Sequence, residues 1–129
     1  MIKFELSDDL LFIHGEVQQL SQRVPIRFII DTGAGGSAVD VNIVAPDFLR
    51  HSRFAEISGV GGGESVLIQK VDLIQLGSVR LQDIEFQFGD LENSFGVQGI
   101  IGNNILATYK ANIDYGSLQL SCNYSRGGS

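Results

Sequence analysis

The chain has 129 residues, 43% of them hydrophobic, and nine basic side chains against fifteen acidic ones leave a formal net charge of −6. That size suits one compact domain burying about two thirds of its unfolded surface, and negative charge with scattered Lys and Arg excludes a nucleic-acid partner. No window approaches the roughly 18 apolar residues of a membrane span, and the start MIKFELSDDL has early acids in place of a basic and then apolar export segment, so the expectation is a soluble, cytoplasmic protein with no membrane partner.

Short apolar segments then recur along the chain: IKFEL at 2–6, LLFIHGEV at 10–17, VPIRFII at 24–30, SVLIQKVDLIQL at 65–76 and VRLQDIEFQF at 79–88. This rhythm is all-β. In the last segment the apolar phase is odd at Val79 and Leu81 but even at Ile84, Phe86 and Phe88, which predicts a bulge near Gln82 and Asp83. VNIVAPDFLR at 41–50 predicts a helical turn or two, limited by Pro46, and NNILATYK at 103–110 predicts a short helix capped by Asn103 or Asn104. Asp114 to Ser117 reads as a turn between two strands. With no repeat or linker in view, residues 1–122 form the expected domain and NYSRGGS at 123–129 a flexible tail.

A single cysteine, Cys122, cannot close a disulfide within the chain. His14 and His51 have no second Cys or His at ligand spacing, so neither a metal nor another cofactor is expected. Glycine makes up 16 residues, concentrated at Gly33 to Gly36 and Gly59 to Gly63. Gly33, Gly35 and Ala38 fit the glycine spacing of a dinucleotide loop, but Pro46 follows too soon for the helix that such a fold needs, and Asp31 would repel a pyrophosphate. In GVGGGES, Glu64 stands where a phosphate loop carries lysine.

Asp31 closes the apolar run FII, an unusual place for a charge, since burying an unpaired carboxylate is costly. Alone, Asp-Thr-Gly is ordinary turn chemistry. Three features together carry more: FIIDTGA at 28–34, the glycine-rich SGVGGGES about 30 residues on, and GIIGNNIL at 99–106. With Ser37 three residues after Ala34, and with Ile100, Ile101 and Gly102 as the second signature, the chain resembles the retropepsin-like aspartic proteases, single-domain relatives of pepsin. The likeness spans most of residues 2–120.

The resemblance implies an all-β, closed-barrel acid-protease fold with one or two short helices, acting as a homodimer. It also implies an endopeptidase that hydrolyses extended polypeptides between two facing carboxylates, one accepting a proton from water and the other donating one to the carbonyl oxygen. One chain supplies only Asp31, because the nearest second copy, Asp114-Tyr115-Gly116, lacks the Thr and the apolar lead. The second carboxylate is therefore Asp31 of a partner related by a twofold axis. At ~3 Å and an effective dielectric near 20, two such charges repel by roughly 5 kcal/mol as an upper bound, so the pair keeps one shared proton.

By the same resemblance, Asp31, Thr32 and Gly33 form the catalytic turn, with the Thr32 hydroxyl bonding the opposite protomer's loop. Ala34 and the hairpin tip at Gly59, Val60, Gly61, Gly62 and Gly63 would contact substrate, the tip acting as a mobile flap. Ile100, Ile101 and Gly102 would support the site, Gly102 letting the backbone pass closely beneath the loop. Plain readings stand beside these: a turn threonine, a surface loop, a glycine that merely starts a helix. Ala34 replaces a serine that often hydrogen-bonds the carboxylate in two-domain relatives, which predicts activity extending toward mildly acidic or neutral pH. Retroviral members carry acids and an arginine where Gly35, Gly36 and Asn103 stand, so their dimer-bracing ion pairs are missing and the sequence looks closer to bacterial or other cellular members. Whether MIKFEL and SLQLS interleave between protomers is left open. The alternative function is a dimerisation or peptide-binding module with little turnover.

Overall fold

The computed structural model describes residues 1–59 and 62–122, without the side chains of residues 58, 59, 62–64 and 122. Val60, Gly61 and the expected tail at 123–129 lie outside the described residues, as do the side chains of Glu64 and Cys122.

The strands are β1 (Ile2–Lys3), β2 (Glu5–Ser7), β3 (Leu10–Gln19), β4 (Gln22–Ile30), β5 (Ser37–Asp40), β6 (Arg53–Gly59), β7 (Gly62–Leu76), β8 (Val79–Gly89), β9 (Gly99–Ile101), β10 (Ala111–Asp114) and β11 (Gln119–Cys122). Two short helices, α1 (Leu91–Phe95) and α2 (Asn103–Leu106), complete the set. The larger sheet runs β2-β3-β4-β9-β5-β8-β7-β6, and a further pairing of β3 with β7 closes it into a barrel, as the all-β reading expects. Where β3 meets β7, Gly15 lies opposite Leu76. A side chain there would strike the Leu76 side chain at 2.7 Å and the Phe28 ring at 2.9 Å, so glycine makes the closure sterically feasible.

Two-residue turns set the hairpin registers. Asp8 and Asp9, both at positive φ, link β2 to β3, where Ser7 faces Leu10, the backbone of a turn whose twist matches that of its strands. Leu20 adopts φ 55 between β3 and β4, strained for a bulky residue. Its N–H donates to Asp72 Oδ2 at 2.8 Å while the Asp72 N–H donates to Gln19 Oε1 at 3.0 Å, so β7 holds that turn in place. Pro25 sits within β4, opposite Glu16. It is tolerated because β9 pairs only with Phe28 to Ile30, leaving the proline side of β4 without a neighbour there.

The expected change of face in β8 occurs where the apolar phase shifts, but by another device. Gln82 and Asp83 are both exposed between buried Leu81 and buried Phe86. Yet Val71 faces Ile84 and Leu73 faces Gln82, so no residue is inserted and the bulge is corrected to a local twist at Asp83, φ 56. The segment 41–50 forms two 3-10 turns, Val41–Ile43 and Pro46–Leu49. The second helix is shorter than 103–110, and its cap is Gly102 and neither asparagine.

The barrel interior is filled by Phe28, Phe86, Val17, Val39, Val71 and Ile74, each fully buried. Phe28 and Phe86 rings meet at 6.3 Å. Burying side chains of this size stabilises by ~1.5–3 kcal/mol each, and it fixes the ends of β4 and β9 from which the site is built. A separate sheet, β1-β11-β10, adds Ile2 and Leu120 to the same buried core. In it β1 pairs antiparallel with β11 of the same chain, Ile2 opposite Leu120.

Candidate active site

β4 and β9 run parallel, with Phe28, Ile29 and Ile30 opposite Gly99, Ile100 and Ile101. The ladder continues one step further, since the Asp31 N–H donates to the Ile101 carbonyl at 3.0 Å. Asp31 therefore leaves the barrel on a fixed strand end, half-buried, with Thr32 and Gly33 exposed beyond it. The turn closes through the Ala34 N–H to the Asp31 carbonyl at 3.2 Å. Within it the Gly33 N–H donates to Asp31 Oδ1 at 2.8 Å. Charge-assisted bonds of this kind orient a carboxylate. Among the described residues, neither Asp31 Oδ2 nor the Thr32 hydroxyl has a hydrogen-bond partner, and no ion pair involves Asp31.

The loop rests on the chain segment after β9. Gly102 is buried, and a side chain there would collide with the Gly36 carbonyl oxygen and lie 2.8 Å from that of Ala34. Asn103 N–H donates to the Ala34 carbonyl at 2.8 Å and Asn104 N–H to that of Gly35 at 2.9 Å. Thus the first N–H groups of α2, which have no partner inside the helix, are satisfied by the loop that follows Asp31. Side chains repeat the link: Asn103 Nδ2 donates to the Thr32 carbonyl at 2.8 Å, and Ser37, 1% exposed, donates to Asn104 Oδ1 at 2.6 Å while accepting the Gly102 N–H at 2.9 Å. Asn104 Nδ2 reaches the Glu85 carbonyl at 3.2 Å, tying the loop to β8.

A cleft of about 500 Å³ opens beside this loop. Its floor is Ala34, Gly36, Ala38 and Ile100, Ile57 and Val66 come from β6 and β7, and Leu91 and Phe95 of α1 complete the wall. β6 and β7 form the hairpin expected there, Gly59 facing Gly62 and Ser58 facing Gly63. Val60 and Gly61, the expected tip, lie outside the described residues.

The structure brings Asp31, Thr32, Gly33 and Ala34 together with Ile100, Ile101 and Gly102. The sequence reading gave Asn103 and Asn104 only a capping role, noted Asn103 also for the arginine it replaces, and gave no role to the Ser37 hydroxyl. Two bonds that tie the site join residues 67 and 71 positions apart, and no local pattern announces such pairs. Leu91 and Phe95 were also missed, because a five-residue helix is too short to show a period. What the arrangement can do is present one oriented carboxylate, with one oxygen unpartnered among the described residues, on a loop whose Ala34, Gly35 and Gly36 line a cleft of mostly apolar side chains.

No curated protein matches the sequence. The solved structure of a retropepsin-like aspartic protease from Rickettsia conorii is similar at a TM-score of 0.65, covering 88% of this chain and 83% of that one, at 20% sequence identity. At that identity the likeness is one of fold, and it is the fold that the sequence resemblance implied. The sequence model of the family described as aspartyl protease matches residues 13–105, which take in the Asp31 turn, the hairpin and the support at Ile100 to Gly102, so this chain belongs to the aspartyl protease family.

Proposed function

We propose that two copies of this chain form one endopeptidase, with Asp31 of each facing the other across a single water on a twofold axis. The observation that carries this reading is the state of the Asp31 carboxylate: Oδ1 is held by Gly33 and Oδ2 has no partner among the described residues. A carboxylate so placed can take a proton from water, but one carboxylate cannot also protonate the carbonyl oxygen while it remains ionised. The second group has to come from another protomer, and the unpartnered Thr32 hydroxyl is suited to bond the opposite loop. Peptide would lie extended in the cleft under the β6–β7 hairpin, adding its backbone to the strand edges. With no ion pairs at Gly35, Gly36 and Asn103 to brace the dimer, protomers associate weakly, and Asn103 instead stiffens its own loop.

Wild-type protein and Asp31→Asn, incubated with a diverse peptide pool from pH 3 to 8 and read by mass spectrometry, test the proposal. Cleavage by wild type alone is expected, extending into the mildly acidic range. Mixing in Asp31→Asn protein should lower activity more than simple dilution does, because each mixed pair has only one carboxylate. Identical digests from both proteins would overturn the assignment.

A further inference from the structure

The cleft wall holds one polar side chain among its described lining residues, Gln87. It lies on β8, level with Ala38 of β5, and strand alternation turns it away from the buried rings of Phe86 and Phe88 on either side. Its amide lies against the catalytic loop: an ideal Cβ on Gly36 would be 3.3 Å from Gln87 Nε2. Half-buried, the Gln87 amide has no hydrogen-bond partner among the described residues, whereas the buried Gln19 amide accepts the Asp72 N–H and the buried Gln69 amide bonds both the Phe48 carbonyl and the His51 N–H. A donor and an acceptor thus face a cleft in which no other described lining residue has a polar side chain.

Resting on the peptidase reading above, we propose that Gln87 sets substrate preference at one subsite, favouring a residue with an aliphatic stem and an uncharged amide tip, Gln or Asn. A wholly aliphatic side chain would strip water from the Gln87 amide and leave both its polar atoms unpaired, which binding sites penalise strongly. A carboxylate or ammonium tip would enter a wall with no opposite charge among the described lining residues. An amide tip pairs with Gln87 reciprocally, donor to acceptor in both directions, while its stem meets Ala38, Ile57 and Ile100. Phe95, 67% exposed at the rim, is then covered by substrate.

The test uses one peptide that the wild-type protein cleaves, with each position near the scissile bond changed in turn to Gln, Met and Glu. Met matches Gln in length without the amide, and Glu matches it in shape with a charge. At one position wild type should favour Gln over Met by roughly tenfold in kcat/KM, with Glu worst. Gln87→Met should erase or invert that order there and leave rankings at every other position unchanged. Gln87→Glu, which keeps the volume and polarity, should still accept Gln and reject Glu more strongly. The same ranking in wild type and in both folded variants would overturn the inference while leaving the peptidase reading intact. No cleavage of any peptide by wild type, Asp31→Asn behaving alike, removes the peptidase reading and this inference with it.

Discussion

Two turns in this molecule share one local design. In Asp31-Thr32-Gly33 and in Asp114-Tyr115-Gly116, the glycine N–H donates to the aspartate Oδ1 at 2.8 Å. They differ in everything around that bond. Asp114 is exposed at the end of β10, and its carboxylate also takes the Ser117 Oγ–H at 2.9 Å and the Ser117 N–H at 3.3 Å. Asp31 ends a barrel strand, leads into the cleft-lining residues Ala34 to Gly36, and keeps one oxygen unpartnered among the described residues. An Asp-x-Gly turn is therefore only a way of aiming a carboxylate. Chemistry depends on the unoccupied oxygen and on what the loop is packed against.

The largest separation between the two turns should come from removing each charge. Asp31→Asn should reduce peptide cleavage by roughly a thousandfold or more, and Asp114→Asn should leave it within about twofold, as measured by initial rates on one peptide. Comparable losses from both would erase the functional distinction. Next come the glycines. Gly102→Ala drives a methyl into the Gly36 and Ala34 carbonyls and should cost ~3 kcal/mol or more in urea unfolding. Gly116→Ala, whose Cβ would lie 3.2 Å from the exposed Asp114 Oδ1, should cost under ~1 kcal/mol.

Asn103→Ala removes the Nδ2–H bond to the Thr32 carbonyl and should destabilise by ~1 kcal/mol while slowing cleavage several-fold. An unchanged rate would mean that this tie does not position the loop.

The smallest effect is one of pH. The Ser117 hydroxyl, then the Ser117 and Gly116 N–H groups, hold the Asp114 carboxyl below its ordinary value. A depressed folded-state value adds stability above the unfolded aspartate value, and that stability is lost as pH falls through the folded one. Ser117→Ala should move Asp114 back upward in an NMR titration, with the acid limb of unfolding starting at slightly higher pH. A downward move would reverse the sign of the argument.

Much of the barrel was legible because its strands alternate and its turns carry Asp, Gly or Ser at the bends. β5 was not, since Ser37 to Asp40 is a four-residue strand directly after glycines, and it is defined by partners β8 and β9 far along the chain. The pattern at 103–110 overstated α2, whose cap is the Gly102 backbone because close packing against Gly36 requires that residue. The Asp31 turn could be read from its own letters. The Ser37–Asn104–Gly102 links could not, as they exist only once β5 and β9 are adjacent. Gln87 drew no expectation from the sequence, where it is one polar residue between two phenylalanines, and only the neighbouring β5 and α1 turn its side of β8 into a wall.

The pairing of β1 with β11 inside a single chain bears on how such an enzyme would respond to concentration. A protomer that closes its own end sheet need not borrow a strand to become folded, so if the active form is the proposed dimer, dilution should yield intact, idle monomers. Catalytic rate would then climb with the square of protein concentration at low occupancy, while the melting temperature stayed nearly level. Local abundance alone would act as the throttle.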